Sequence, residues 1–124
     1  MRDRPDTCVI GAGVSGLTAV KALRDWDIPH TCFEASDDVG GNWYFGNPNG
    51  RSSAYRSLHI DTSKNAISFG DFPMDDGYPD FPHHSQIRQF LTEYADRFRL
   101  RESIQFNSAV QRAERLHGGG WRIA

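Results

Sequence analysis

Three glycines at a fixed spacing stand near the start of the chain, in Gly11-Ala12-Gly13-Val14-Ser15-Gly16. Such a loop brings backbone N–H groups against a phosphate. The first glycine permits a tight turn, the second leaves room for a pyrophosphate to approach the main chain, and the third lets a following helix pack close on the preceding strand. The helix start adds unpaired N–H groups and the positive end of its dipole. Further along stands Glu34. A carboxylate there accepts hydrogen bonds from ribose hydroxyls and repels a 2′-phosphate, which disfavours NADP at this particular site.

Spacing of glycines is weak evidence without the right elements around it. Thr7-Cys8-Val9-Ile10 is short, apolar and rich in β-formers, and it runs into Gly11. It is predicted to be a buried parallel strand. From Val14 onward, Leu17, Val20, Leu23 and Trp26 recur at helical spacing, which predicts about three turns of helix ending near Asp27-Ile28-Pro29. A second strand is predicted at His30-Thr31-Cys32-Phe33-Glu34. Together these make a βαβ unit, for which a parallel pair is expected.

Residues 35–82 hold most of the prolines and many aromatics, and read as loops with short extended pieces at Ser57-Leu58-His59-Ile60 and Ala66-Ile67-Ser68-Phe69. Ser85 is the expected N-cap of a helix over Gln86 to Arg99, whose core face is Ile87, Phe90, Leu91, Tyr94, Ala95 and Phe98. Ile104-Gln105-Phe106 is predicted as a strand. A hairpin is predicted with strands at Ala109 to Leu116 and Trp121-Arg122-Ile123, turning through His117-Gly118-Gly119-Gly120. The expected architecture is α/β: a Rossmann-type parallel sheet, packed helices and an added β-hairpin.

The chain has 124 residues, 38% hydrophobic and 24% charged, with a net charge of -2. One domain is expected, and no excess of positive charge points to nucleic acid or an anionic membrane surface. No run approaches the roughly 18 apolar residues of a membrane span. The charged start and the glycine-broken apolar stretch after it make a poor signal peptide, so the expected location is the cytoplasm. Cys8 and Cys32 are not in a CxxC pair and are predicted to be buried thiols in a reducing compartment. Adjacent histidines His83-His84 do not share one metal ion easily, and no metal site is predicted. Arg51 and Arg56 remain open as partners for a phosphate.

Glycine loop and glutamate alone do not separate NAD from FAD. The next segment, Asp37-Asp38-Val39-Gly40-Gly41-Asn42-Trp43, has two glycines that permit close backbone approach and a Trp that can pack on a ligand. Here the chain resembles the flavin-containing monooxygenases over nearly its whole length. The resemblance rests on Gly11 to Gly16, Cys32-Phe33-Glu34, Gly40-Gly41-Asn42-Trp43, Tyr55 through Lys64, and Asp71-Phe72-Pro73-Met74 through Tyr78-Pro79-Asp80-Phe81-Pro82-His83. The related Baeyer–Villiger monooxygenases share the first two blocks, and the aromatic-proline block favours the flavin-containing branch.

The resemblance implies an FAD enzyme reduced by NADPH, in which a flavin C4a-hydroperoxide formed with O2 oxygenates an amine nitrogen or a sulfide sulfur. Carried onto this chain, Gly11, Ala12, Gly13, Val14, Ser15 and Gly16 would hold the pyrophosphate and Glu34 the adenosine ribose. Gly41, Asn42 and Trp43 would contact the flavin side, with Asp61 and Thr62 near the isoalloxazine. The family commonly has Asn where Asp61 stands. An asparagine amide donates a hydrogen bond and an ionised carboxylate does not, so Asp61, as the candidate catalytic position, is expected to protect the oxidant less well. No second GxGxxG occurs in the 124 residues. The expectation is therefore an N-terminal FAD-binding portion, residues 1–124, with the NADPH-binding domain in cis or in trans. The alternatives are a truncated FAD- or nucleotide-binding fragment without turnover and a Baeyer–Villiger-type monooxygenase fragment.

Overall fold

A computed structural model describes residues 6–124. Three strands form a parallel sheet in the order β1, β2, β3: β1 is Thr7–Ile10, β2 is His30–Phe33 and β3 is Ile104–Gln105. Cys32 of β2 lies opposite Val9 of β1 and Ile104 of β3. Helix α1, Val14–Asp25, makes the connection from β1 to β2. Sheet bonding continues beyond the strand ends, because Glu34 N–H donates to Gln105 O at 2.9 Å and Ser108 N–H donates to Glu34 O at 2.8 Å.

Two helices cover one face of the sheet. Leu17 and Val20 of α1 are fully buried against Val9 and Cys32. Helix α3, His84–Arg97, buries Ile87, Phe90, Leu91, Tyr94 and Ala95, the face that its periodicity predicted. Full burial of each such side chain contributes about 1.5–3 kcal/mol. Trp26 departs from its expected stripe. It stands at the C-cap of α1 and is 75% exposed, because the helix stops at Asp25 and Asp27 turns the chain at φ 53°.

The cap of α3 also differs from expectation. His83, not Ser85, caps the helix: His83 Nδ1 accepts from Ser85 N–H, and Gln86 Oε1 accepts from His83 N–H at 3.0 Å. This reciprocal arrangement is a capping box built on histidine. At the other end the helix stops at Arg97, because Arg99 adopts a left-handed conformation at φ 55°.

The segment expected to be extended at Ala66 to Phe69 instead begins inside a single helical turn, α2, Lys64–Ile67. Ser68 Oγ donates to Lys64 O and accepts from Met74 N–H, closing the turn. Phe69 and Phe72 then bridge and pack on Phe90 and Tyr94. Aromatic burial against α3 outweighs the local extended preference. The hairpin forms as predicted, but pairing is shorter: β4 is Ala113–Arg115 and β5 is Trp121–Ile123.

The prediction for the cysteines holds for one of them. Cys32 is buried, and burial pushes its thiol up to about 11. Cys8 is exposed. Alternation along β1 turns Val9 toward the helices, and so Cys8 and Ile10 point to the opposite face. That face is open. Cys8, Ile10, Thr31 and Phe33 border a cleft of about 870 Å³, with Trp121 and Ile123 of the hairpin on its other side.

Candidate functional site

The glycine loop leaves β1 through Gly11, whose N–H donates to Phe33 O at 2.8 Å and whose φ is +95°. That conformation suits glycine alone at low cost. Gly13 is the N-cap of α1, and the first turn of the helix carries no acidic side chain. The first N–H groups of the helix have no intrahelical acceptor and point out of its positive end. Gly16 is required by space: a Cβ there would lie 1.8 Å from Gly11 O.

Gly40 and Gly41 have a role that their sequence did not disclose. They were expected to admit a ligand, and they dock on the glycine loop itself. Gly40 N–H donates to Ala12 O at 3.0 Å, and a Cβ on Gly41 would lie 2.9 Å from Gly13 Cα. Two backbones touch with no side chain between them. Just beyond, Gly41–Trp43 forms a 3-10 turn.

Glu34 is buried at this junction. Its carboxylate accepts from Ala12 N–H at 2.5 Å, Ser36 N–H at 2.8 Å and Ser36 Oγ at 2.9 Å. A carboxylate offers about four acceptor positions. Three are filled from within the protein, so Glu34 first ties the glycine loop to the end of β2. One position is left open.

A cleft of about 220 Å³ opens over this junction. Gly11, Glu34, Gly41 and Asn42 line it, together with Phe33, Ala35, Asn47, Arg51 and Val110. Of the residues expected from sequence, these four meet in one place. Gly13, Val14, Ser15 and Gly16 continue the loop into α1, which begins beside the cleft. Trp43 lies elsewhere, in a groove with Phe45, His84 and Arg88. Asp61 and Thr62 are exposed and do not line the cleft. The Asp61 carboxylate makes no hydrogen bond or ion pair among the described residues.

Asn47, Asn49 and Val110 were not singled out from sequence. Asn47 and Asn49 build successive side-chain turns: Asn47 Oδ1 accepts from Asn49 N–H, and Asn49 Oδ1 accepts from Arg51 N–H. The Asn-Pro-Asn-Gly run was the available signal for this turn. Nothing local marked Val110, which reaches the cleft through the pairing of residues 107–108 with 34–36.

An ionic network holds the segment after Glu34. Asp38 pairs with Arg88 at 3.1 Å and with Arg101 at 2.5 Å, and Arg88 also stacks on Tyr44 with its guanidinium carbon 3.5 Å from the ring centre. Burial alone would raise the Asp38 carboxyl, but the Arg101 guanidinium and the Val39 N–H outweigh it and hold it below its ordinary value. The network fastens Asp38 to Tyr44 onto α3, and with it the turn that seats Gly41 on Gly13.

The geometry defines a class first: a Rossmann-type βαβ unit with a glycine loop at the start of its helix and an acidic residue at the end of the second strand. The comparisons then place the chain. Residues 5–121 match the family model described as flavin-binding monooxygenase-like, and the chain belongs to that family. It is similar to flavin-containing monooxygenase 5 of Rattus norvegicus, 46% identical over 104 residues, which cover 82% of this chain and 20% of the relative. Flavin-containing monooxygenase 3 of the same organism is 42% identical over 93% of this chain and 23% of its own length. Among solved structures, OTEMO in complex with FAD and NADP superimposes with a TM-score of 0.83 at 25% identity, covering 96% of this chain and 22% of that one. The chain thus spans about a fifth of the length of the curated relatives it matches. Among the described residues no helix is long and apolar enough to cross a membrane.

Proposed function

We propose that this chain is the FAD-binding portion of an NADPH-dependent flavin monooxygenase that oxygenates soft nucleophiles, an amine nitrogen or a sulfide sulfur. The observation that carries the reading is the junction of Gly11, Glu34, Gly41 and Asn42 around one cleft. Relatives bearing the name flavin-containing monooxygenase support it, and an N-oxide-forming dimethylaniline monooxygenase of Mus musculus, 40% identical, supports oxygenation at nitrogen.

When bound, FAD supplies the redox and oxygen chemistry that side chains lack. The residues here do the holding. N–H groups of the α1 start would hold the pyrophosphate, and the remaining acceptor position of Glu34 would take a ribose hydroxyl. Gly41 and Asn42 would lead toward the flavin side, and Trp43, Asp61 and Thr62, which lie outside this cleft, would meet the flavin only beyond it. An ionised carboxylate at Asp61 would accept but not donate a hydrogen bond, whereas the amide of Asp61→Asn would donate one. The 124 residues contain one glycine fingerprint, and NADPH binding is assigned to a second domain, in cis or in trans. Unpaired thiols at Cys8 and Cys32 fit a reducing compartment such as the cytoplasm.

Titration of the purified chain with FAD, read by flavin fluorescence and absorbance, tests the reading. Saturable binding that Glu34→Ala weakens at least about tenfold is expected, since a hydrogen bond to a charged group contributes about 1.5–3 kcal/mol. No saturable flavin binding would reject it.

A further inference from the structure

We propose that Arg51 is a pyrophosphate-binding residue of this site, a cation lining the cleft beside the glycine loop. The proposal rests on the FAD reading above and names a contact within it. Three observations lead there.

The first is position. Arg51 lines the same cleft as Gly11 and Glu34, although it lies far from both in sequence.

The second is availability. Arginines such as Arg88 and Arg101 are taken up by Asp38. The exposed guanidinium of Arg51 has no ion-pair or hydrogen-bond partner among the described residues. Among the described residues the only carboxylate lining the cleft is Glu34, and three protein donors already hold it. Among the described residues Arg51 is therefore the charged side chain at the cleft that no protein partner occupies.

The third is preorganisation of the backbone that carries Arg51. Its N–H donates to Asn49 Oδ1 at 2.9 Å on one side. On the other, Ser52 Oγ donates to Asn42 O and Ser53 N–H donates to Asn42 Oδ1, both at 2.7 Å. Asn42 follows Gly41, which sits on Gly13. The loop of Arg51 is thus tied to the glycine loop through a short chain of contacts. A planar guanidinium matches two phosphate oxygens at once, which a lysine ammonium does not.

The test measures binding of FAD, ADP and adenosine to the wild-type chain and to Arg51→Gln, Arg51→Lys and Arg56→Gln by calorimetry, with thermal melts confirming that each variant is folded. Arg51→Gln is expected to weaken FAD and ADP about tenfold and leave adenosine unchanged. Arg51→Lys should fall between, Arg56→Gln should match wild type, and the salt dependence of ADP binding should flatten in Arg51→Gln. Unchanged ADP affinity in Arg51→Gln overturns the proposal, as does an equal loss for adenosine, which would mean a contact with the base or sugar. If the wild-type chain binds ADP but not FAD, the flavin reading fails while the ADP series still decides Arg51. If it binds neither, both are overturned.

Discussion

The glycine-loop end of the sheet and the sheet's uncovered face are built from the same strands and differ in how their space is filled. At the loop, backbone meets backbone: Gly16 on Gly11, Gly41 on Gly13, Gly40 bonded to Ala12, and Glu34 taking Ala12 and Ser36. On the other face Ile10 is 58% exposed and Trp121 63% exposed across an open cleft. The first region has no volume to yield, and the second has volume unfilled. Tolerance to substitution should therefore divide sharply between them, although β1 contributes to both.

Breaking the tight side should have the largest effect. Gly16→Ala places a Cβ where Gly11 O already is. Backbone cannot rotate away as a side chain would, so a loss of about 3 kcal/mol is expected in urea unfolding. A midpoint close to wild type would refute the close packing of α1 on β1. Removing the ionic clamp comes next. Asp38→Asn leaves Arg88 and Arg101 facing a neutral amide, at a cost of about 1–2 kcal/mol near neutral pH. The sign with pH follows from the lowered Asp38 pKa. The carboxylate's contribution is fully present above its unfolded value, 3.8, and is lost as pH falls through the lower folded value. The difference between variant and wild type should accordingly narrow below about pH 3.8, and a gap that persists there would mean that charge is not its source. The smallest effect belongs to the open face: Trp121→Ser should change stability by no more than about 0.5 kcal/mol. A larger loss would show that the hairpin closes on the sheet more firmly than its exposure indicates.

Legibility followed the reach of each interaction. The βαβ start was readable because its determinants are local: the apolar strand at residues 7–10, the glycine turn, and the spacing of Leu17 and Val20. The core face of α3 was readable for the same reason. The cap was not, because Ser85 is the usual residue type and the histidine before it took the role by exchanging bonds with Ser85 and Gln86. Lys64–Ile67 became helical because Phe69 and Phe72 are drawn onto Phe90 and Tyr94, partners distant in sequence. Cys8 appeared buried because a parallel strand in a complete sheet is covered on both faces, and here one face of β1 is not.

The amino-acid sequence by itself determined the glycine loop, the acidic residue after it and the family, since these depend on residue types at short, fixed spacings. Tertiary structure alone decided what those residues touch. It turned Glu34 into a clasp for Ala12 before any ribose, set Gly41 against Gly13, sent Trp43 to a separate groove, and brought Arg51 and Val110 to the cleft. Each of those outcomes depends on where the chain returns after a long excursion, and the packing of α3 and the pairing of residues 104–108 with β2 set that return.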